Sequence, residues 1–226
     1  MIVLEAKNIS KTFYGPSKIE ILKDISLNLH KGESIAIMGN SGEGKTTLLH
    51  ILGNLEEKDG GTLRILNNTK IDNKMLNKNI GFIFQFYNLL EDLTVLENVL
   101  MPYLIARKKL DNFKAEQLLE MVSLENRKNF FAKSLSGGEK QRVAIARAFC
   151  NNPEIILADE PSGNLDSKNS KQIHKLLLNS VKKLNKSLIV ATHNRDLANL
   201  CDKVYLLKDG FLSNFSKTSG NLINIF

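Results

Sequence analysis

The chain has 226 residues, 42% hydrophobic and 24% charged, with 31 Lys plus Arg against 24 Asp plus Glu and a formal net charge of +7. That length and composition suit a soluble globular chain with a real core. No apolar run approaches the roughly 20 residues of a membrane-spanning helix, so work at a membrane requires a partner.

Met1 to Lys11 mixes charge with apolarity and lacks the apolar block of a secretory signal. The positive charge is spread over scattered lysines, which favours a solvated surface over a nucleic-acid stripe. Cys150 and Cys201 lie far apart without metal-ligand spacing, in keeping with a reducing compartment and no chemical role.

In chain order, Ile2, Leu4 and Ala6, then Ile25, Leu27 and Leu29, alternate with period two and predict strands of a half-exposed antiparallel sheet. Ser34 to Met38 is a short apolar run closed by glycine, hence a buried strand. Thr46 to Leu52 reads as a helix. Leu63 and Ile65 begin another strand, and Ile80 to Phe84 is one more. Thr94-x-x-Glu97 is a capping box ahead of an apolar helix that Pro102 should kink or interrupt. Asp111 is placed to cap a second helix carrying Leu118, Leu119 and Val122. From Glu154 the pattern returns to buried strand, helix, strand: Ile155 to Ala158, a helical face at Ile173, Leu176, Leu177, Val181 and Leu184, then Leu188 to Ala191. Val204 to Leu207 is the last expected strand, and the polar tail after Phe211 is expected to be loosely held.

The chemistry gathers around Gly39-Asn40-Ser41-Gly42-Glu43-Gly44-Lys45-Thr46, a phosphate-binding loop G-x-x-x-x-G-K-[ST] between a buried strand and a helix. Its glycines allow positive φ, so that backbone N–H groups close around phosphates at a helix N-terminus. Lys45 can reach the β- and γ-phosphates and Thr46 can ligate Mg²⁺. Glu43 puts a negative charge into the loop, unfavourable to anions unless it points away. Asp159 and Glu160 follow the buried strand Ile155 to Ala158. Asp159 is placed to hold Mg²⁺ through water, and Glu160 to polarise an attacking water as general base. Gln85, also at a strand end, can ligate Mg²⁺ or the attacking water. His193 follows the strand ending at Ala191, within reach of a γ-phosphate. Ser136-Gly137-Gly138-Glu139 is a capping box that leaves the first N–H groups of its helix uncovered by bulky side chains. Ser162 to Asp166 alone reads as a polar turn and helix cap.

These motifs, in this order, resemble the nucleotide-binding subunits of ABC transporters over nearly the whole chain. The resemblance implies an α/β fold of the P-loop NTPase (ABC ATPase) kind, with a mixed core sheet, an N-terminal antiparallel β-subdomain and a helical insert. One ABC domain would span 1–226: about 1–85 and 135–226 as core plus β-subdomain, about 86–134 as helical subdomain. It implies ATP and Mg²⁺ as cofactors. Gly39 to Thr46 is then Walker A, with Thr47 beside it. Gln85 is the Q-loop glutamine, and Leu135 to Glu139 the signature. Asp159 and Glu160 end Walker B, Asp166 closes the D-loop, and His193 is the switch histidine. Phe13 matches the residue that stacks on adenine, with Tyr14 the near alternative.

It also implies a head-to-tail homodimer in which Ser136, Gly137, Gly138 and Glu139 of one subunit meet the ATP of the other, and integral membrane partners at the cytoplasmic face of the bacterial inner membrane. No nucleic acid is expected as a partner. Gly81 to Phe86, Asn88 to Leu90, Leu96 to Val99 and Met101 to Ile105 are similar to the lipoprotein-releasing (Lol) sub-family. Macrolide-efflux and cell-division ATPases share much of that pattern. A soluble ABC ATPase acting on DNA or ribosomes fits less well, since the chain carries no coiled-coil or zinc-binding addition. Two departures stand out: Asn67 to Asn79 is short, and Asn194 stands where the family commonly has Asp.

Overall fold

The structure is a computed structural model that describes residues 1–15 and 17–215. In chain order its elements are β1 (Ile2–Tyr14), β2 (Lys18–His30), β3 (Ser34–Met38), α1 (Lys45–Leu52), β4 (Gly60–Ile65), α2 (Asn73–Asn79), β5 (Ile80–Ile83), α3 (Val95–Ile105) and α4 (Asn112–Met121). After two short 3₁₀ turns come α5 (Gly137–Phe149), β6 (Ile155–Asp159), α6 (Ser167–Lys183), β7 (Ser187–Ala191), α7 (Arg195–Leu200), β8 (Lys203–Lys208) and β9 (Phe211–Phe215). The chain divides into two compact units, Met1–Ile71 with Ser187 onward, and Asp72–Lys186. Among the described residues no helix is long and apolar enough to cross a membrane.

The first unit holds two sheets. β2, β1 and β4 form an antiparallel sheet with β1 in the centre, Leu4 lying opposite both Leu29 and Ile65. Bulges interrupt the alternation of β1, so that Val3 and Leu4 are buried in succession and Asn8 takes a φ of 53°. β4 ends at Ile65, so Leu63 and Ile65 close this strand instead of beginning it. The second sheet runs β7-β3-β8-β9, its first three strands parallel and β9 antiparallel at the edge. Every residue of β3 and β7 is buried, which is why both read as unbroken apolar runs.

β9 was not expected. Its burial alternates weakly, Leu212 and Phe215 being half-buried and the rest exposed, so an edge strand looks like a polar tail. The remainder of that tail, from 216 on, lies outside the described residues.

The second unit pairs β5 with β6 in parallel, Ile83 opposite Ala158, and packs helices against them. α3 begins with the expected capping box: Thr94 accepts from the Glu97 N–H at 3.2 Å, and the Glu97 carboxylate accepts from the Thr94 N–H at 2.7 Å. The helix runs on through Pro102 and ends three residues later, so the interruption does not occur. The Pro102 carbonyl closes a turn with the Ala106 N–H and also accepts from Asn151 Nδ2. Asp111 caps α4 through the Lys114 N–H, as expected.

α2 went unseen because its Asn- and Lys-rich sequence buries no residue, leaving only the Asp72 cap as a signal. The lysines are also less scattered than they look in sequence. Lys168, Lys171, Lys175 and Lys182 are exposed at helical spacings that place them along one side of α6.

β5 and α5 approach closely at Gly81, where an added Cβ would fall 2.2 Å from the Ala148 carbonyl oxygen and 2.8 Å from Ile156 Cδ1. Gly81→Ala is therefore expected to destabilise the protein by about 2–3 kcal/mol. This would be read as a lower urea midpoint at unchanged slope; an unchanged midpoint would contradict the packing.

Candidate functional site

In the first unit, β3 delivers the chain at Met38 into the loop from Gly39 to Gly44, and α1 starts at Lys45. Two of the glycines are required by geometry. A Cβ on Gly39 would sit 2.5 Å from the Leu207 carbonyl oxygen. Gly44 has φ +93°, and its Cβ would lie 2.4 Å from Ile21 Cγ2. Gly44 is also the N-cap of α1 and offers no side-chain oxygen, and the first turn carries no acid. The leading N–H groups and the positive end of the helix are thus left for an anion.

Lys45 is buried, and its Nζ donates to the carbonyls of Gly39 and Asn40, both at 2.8 Å, so the ammonium already lies inside the loop. Glu43 points elsewhere: its Oε2 accepts from the Asp209 N–H at 2.8 Å, in the β8–β9 turn. That contact answers the charge problem posed by the sequence. Asn40, Ser41, Gly42 and Thr46 are exposed and Thr47 is half-buried along the same segment.

The parallel register places His193 beside this loop. Ile37 pairs with Ala191 and the Thr192 N–H donates to the Ile37 carbonyl at 3.0 Å, so His193 leaves the sheet level with Gly39. Its ring is exposed. Asn194 caps α7 by accepting from the Leu197 N–H, a role the family's common Asp would fill equally well. Phe13 and Tyr14 both lie at the exposed end of β1. Phe13 is 43% exposed with Lys11 Nζ 5.1 Å from its ring centroid, and Tyr14 is 79% exposed.

The second unit gathers the remaining groups at the carboxyl ends of β5 and β6. Asp159 is buried at the end of β6, and Glu160 follows at φ 40°, a strained backbone for a glutamate that its surroundings must hold. They do so through a tight turn: the Gly163 N–H donates to the Glu160 carbonyl at 3.0 Å, and Asn164 Nδ2 donates to the Gln85 carbonyl at 3.0 Å. A Cβ on Gly163 would lie 3.4 Å from Glu160 Cβ and 3.5 Å from Gln85 Nε2. Gln85, Glu160 and the 162–166 turn therefore form one cluster. Beneath it, buried Ser162 and His174 share a hydrogen bond of 2.7 Å.

Ser136 caps α5 as expected. Its Oγ and N–H both donate to Glu139 Oε2, at 2.7 and 2.9 Å, and the hydroxyl hydrogen bond is the main cause that holds the Glu139 carboxyl below its usual range. Asp166 caps α6 by accepting from the Lys168 and Asn169 N–H groups, and its carboxyl is likewise held low, chiefly by the Asn169 N–H. Gly137 is confined, with Tyr87 Oη 3.0 Å from where its Cβ would be. Gly138 is open, with nothing closer than Asn169 Oδ1 at 3.7 Å.

Sequence reasoning missed Arg147 and Tyr87. The guanidinium of Arg147 donates to the carbonyls of Tyr87 and Asn88, and burial pulls its pKa down to about 10. Its signal was a charge inside the otherwise apolar run Val143 to Phe149.

A loop with a lysine at an uncapped helix N-terminus in one unit, and a strand-end pair of carboxylates beside a carboxamide in the other, are each groups of the kind that phosphoryl transfer uses. The comparisons with known proteins agree. Residues 22–163 match the family model described as ABC transporter. The lipoprotein-releasing system ATP-binding protein LolD of Protochlamydia amoebophila is 48% identical over 219 residues, 93% of this chain and 96% of that protein. LolD of Rickettsia bellii is 45% identical, across 93% and 97%. Among solved structures, the bacterial ABC transporter cassette MJ0796 in dimeric form has a TM-score of 0.85 and 38% identity, covering 96% of this chain and all of that one. The same cassette in a dimeric post-hydrolysis state bound to ADP and Pi gives a TM-score of 0.86.

Gly137 and Gly138 differ in the room a side chain would find. Gly138→Ala is expected to leave the melting temperature unchanged or raised, since the methyl meets no close neighbour and alanine favours helix by up to about 1 kcal/mol. ATP turnover should fall about tenfold or more if a ligand must approach that backbone. Full turnover in a folded Gly138→Ala protein would remove the α5 N-terminus from the site.

Proposed function

The chain belongs to the ABC transporter family of ATP-binding cassettes and is an ATPase; from that premise we propose that it energises a bacterial lipoprotein-releasing transporter from the cytoplasmic face of the inner membrane. The observation that carries the proposal is likeness along 93% of the chain to proteins named for that system, combined with a full set of motif residues.

In this reading the N–H groups of Gly39 to Thr47 and the Lys45 ammonium bind the ATP phosphates, Lys45 exchanging its two carbonyl acceptors for phosphate oxygens. Phe13 stacks on the adenine. Glu160, aimed by its strained turn, orients and polarises the attacking water, and His193 bonds the γ-phosphate. Thr46, Gln85 and, through water, Asp159 offer the hard oxygen donors that suit Mg²⁺. When bound, the ion neutralises charge on the β- and γ-phosphates. Residues Ser136 to Glu139 serve the ATP held by a second copy, in a head-to-tail homodimer. Asp166 fixes the D-loop beside them. Binding of two shared ATPs closes the dimer, and loss of the γ-phosphate reopens it.

The partner's contact falls on the 86–134 helical region. A groove of about 360 Å³ is lined by Phe82, Phe84, Leu90, Met101, Pro102 and Ile105, and Phe86 and Leu104 are among the exposed large apolar side chains of the same segment. Such a surface suits a short apolar cytoplasmic segment of a membrane subunit.

The test is an affinity pull-down from detergent-solubilised membranes with mass spectrometry of the co-purifying proteins. A membrane subunit with few spans and a large extracytoplasmic domain is expected, and the sequence of that domain separates lipoprotein release from efflux or division. Recovery of ribosomes or nucleic acid without a membrane protein would overturn the transporter assignment and leave the ATPase intact.

A further inference from the structure

The segment that leaves β5 does something costly. After Gln85, the residues Tyr87 and Asn88 take φ values of 54° and 49° in succession, the left-handed region, with neither a glycine. Asparagine tolerates that region, whereas a tyrosine there is strained. Something must hold the pair, and the guanidinium of Arg147 does. One terminal nitrogen donates to the Asn88 carbonyl and the other to the Tyr87 carbonyl, each at 2.5 Å. Arg147 has no ion-pair partner among the described residues, so its charge is satisfied here by backbone dipoles.

The fork also joins two functional elements. Arg147 stands in α5, whose N-terminus is Ser136-Gly137-Gly138, and the peptides it grips follow Gln85 by two and three residues. A second contact runs the same way, since the Tyr87 hydroxyl packs where a Cβ on Gly137 would reach within 3.0 Å. On the other side, the Gln85 carbonyl accepts from Asn164. The stretch from 85 to 88 thus has three of its four carbonyls engaged by named side chains.

We propose that Arg147 is a positioning residue for hydrolysis, whose forked donors lock residues 85–88 to the signature helix so that Gln85 and the Ser136 N-terminus move as one piece. This rests on the ATPase reading, and it assigns Arg147 no contact with nucleotide. A point charge cannot replace the fork, because a lysine at 147 offers its donors from one nitrogen and does not span two successive carbonyls.

The test compares the parent, Arg147→Lys and Arg147→Gln in steady-state ATP hydrolysis, with thermal melts and amide hydrogen exchange of the peptide covering residues 84–92. The expected result for Arg147→Lys is a kcat about tenfold lower with the KM for ATP within about twofold, a protein still folded, and faster exchange in that peptide. Arg147→Gln, with one short amide in place of the fork and no charge left buried, should show the same split. Unchanged kcat and exchange in Arg147→Lys would overturn the proposal. So would a loss that appears equally in KM, or an Arg147→Gln protein that folds and keeps the parent's kcat. If the parent itself does not hydrolyse ATP, the ATPase reading fails, and the exchange experiment still decides whether Arg147 clamps the segment.

Discussion

A parallel strand buried on both faces cannot fade out into solvent. Its backbone must turn within a residue or two, and the groups released at that turn are fixed by the strands beside it. β3 turns at Gly39 under the Leu207 carbonyl, and β7 releases His193 level with it. In the other unit β6 turns at Glu160 with φ 40°, and β5 releases Gln85 into the left-handed pair at Tyr87 and Asn88. Four strand ends supply the residues to which hydrolysis is assigned. Their precision is inherited from the sheets and needs no long side-chain scaffolding.

The helices answer a complementary need. α1 presents an N-terminus with no side-chain cap, while α5 is capped by Ser136 and Glu139 and keeps Gly138 open. An uncapped helix leaves donors unsatisfied, at a cost of roughly 1 kcal/mol against a capped one. A bound anion would offset that cost, so such a loop trades intrinsic stability for affinity. Glu43 shows the same economy: a carboxylate that would repel phosphate is turned away to hold the Asp209 N–H.

Much of this was legible in the sequence because the signals are local. The phosphate loop, the two capping boxes and the unbroken apolar runs of β3, β6 and β7 each depend on residues within a few positions of one another. What escaped notice depends on contacts distant in sequence. Nothing near Arg147 says that its guanidinium grips carbonyls about 60 residues upstream, and nothing near Ser162 says that His174 lies beneath it. α2 and β9 were missed for a different reason. They bury too little apolar surface for periodicity to mark them. Of the kink or interruption expected at Pro102, the interruption does not occur, since α3 continues three residues beyond it.

The proposed division of labour gives the water to Glu160 and shares the ATP between two copies. It is tested most directly by sedimentation of Glu160→Gln with ATP and Mg²⁺, alongside its turnover. A stable ATP-bound dimer with hydrolysis abolished is expected, against a parent that hydrolyses ATP and dissociates. Hydrolysis by the glutamine variant at the parent's rate, or a monomer at saturating ATP, would contradict it.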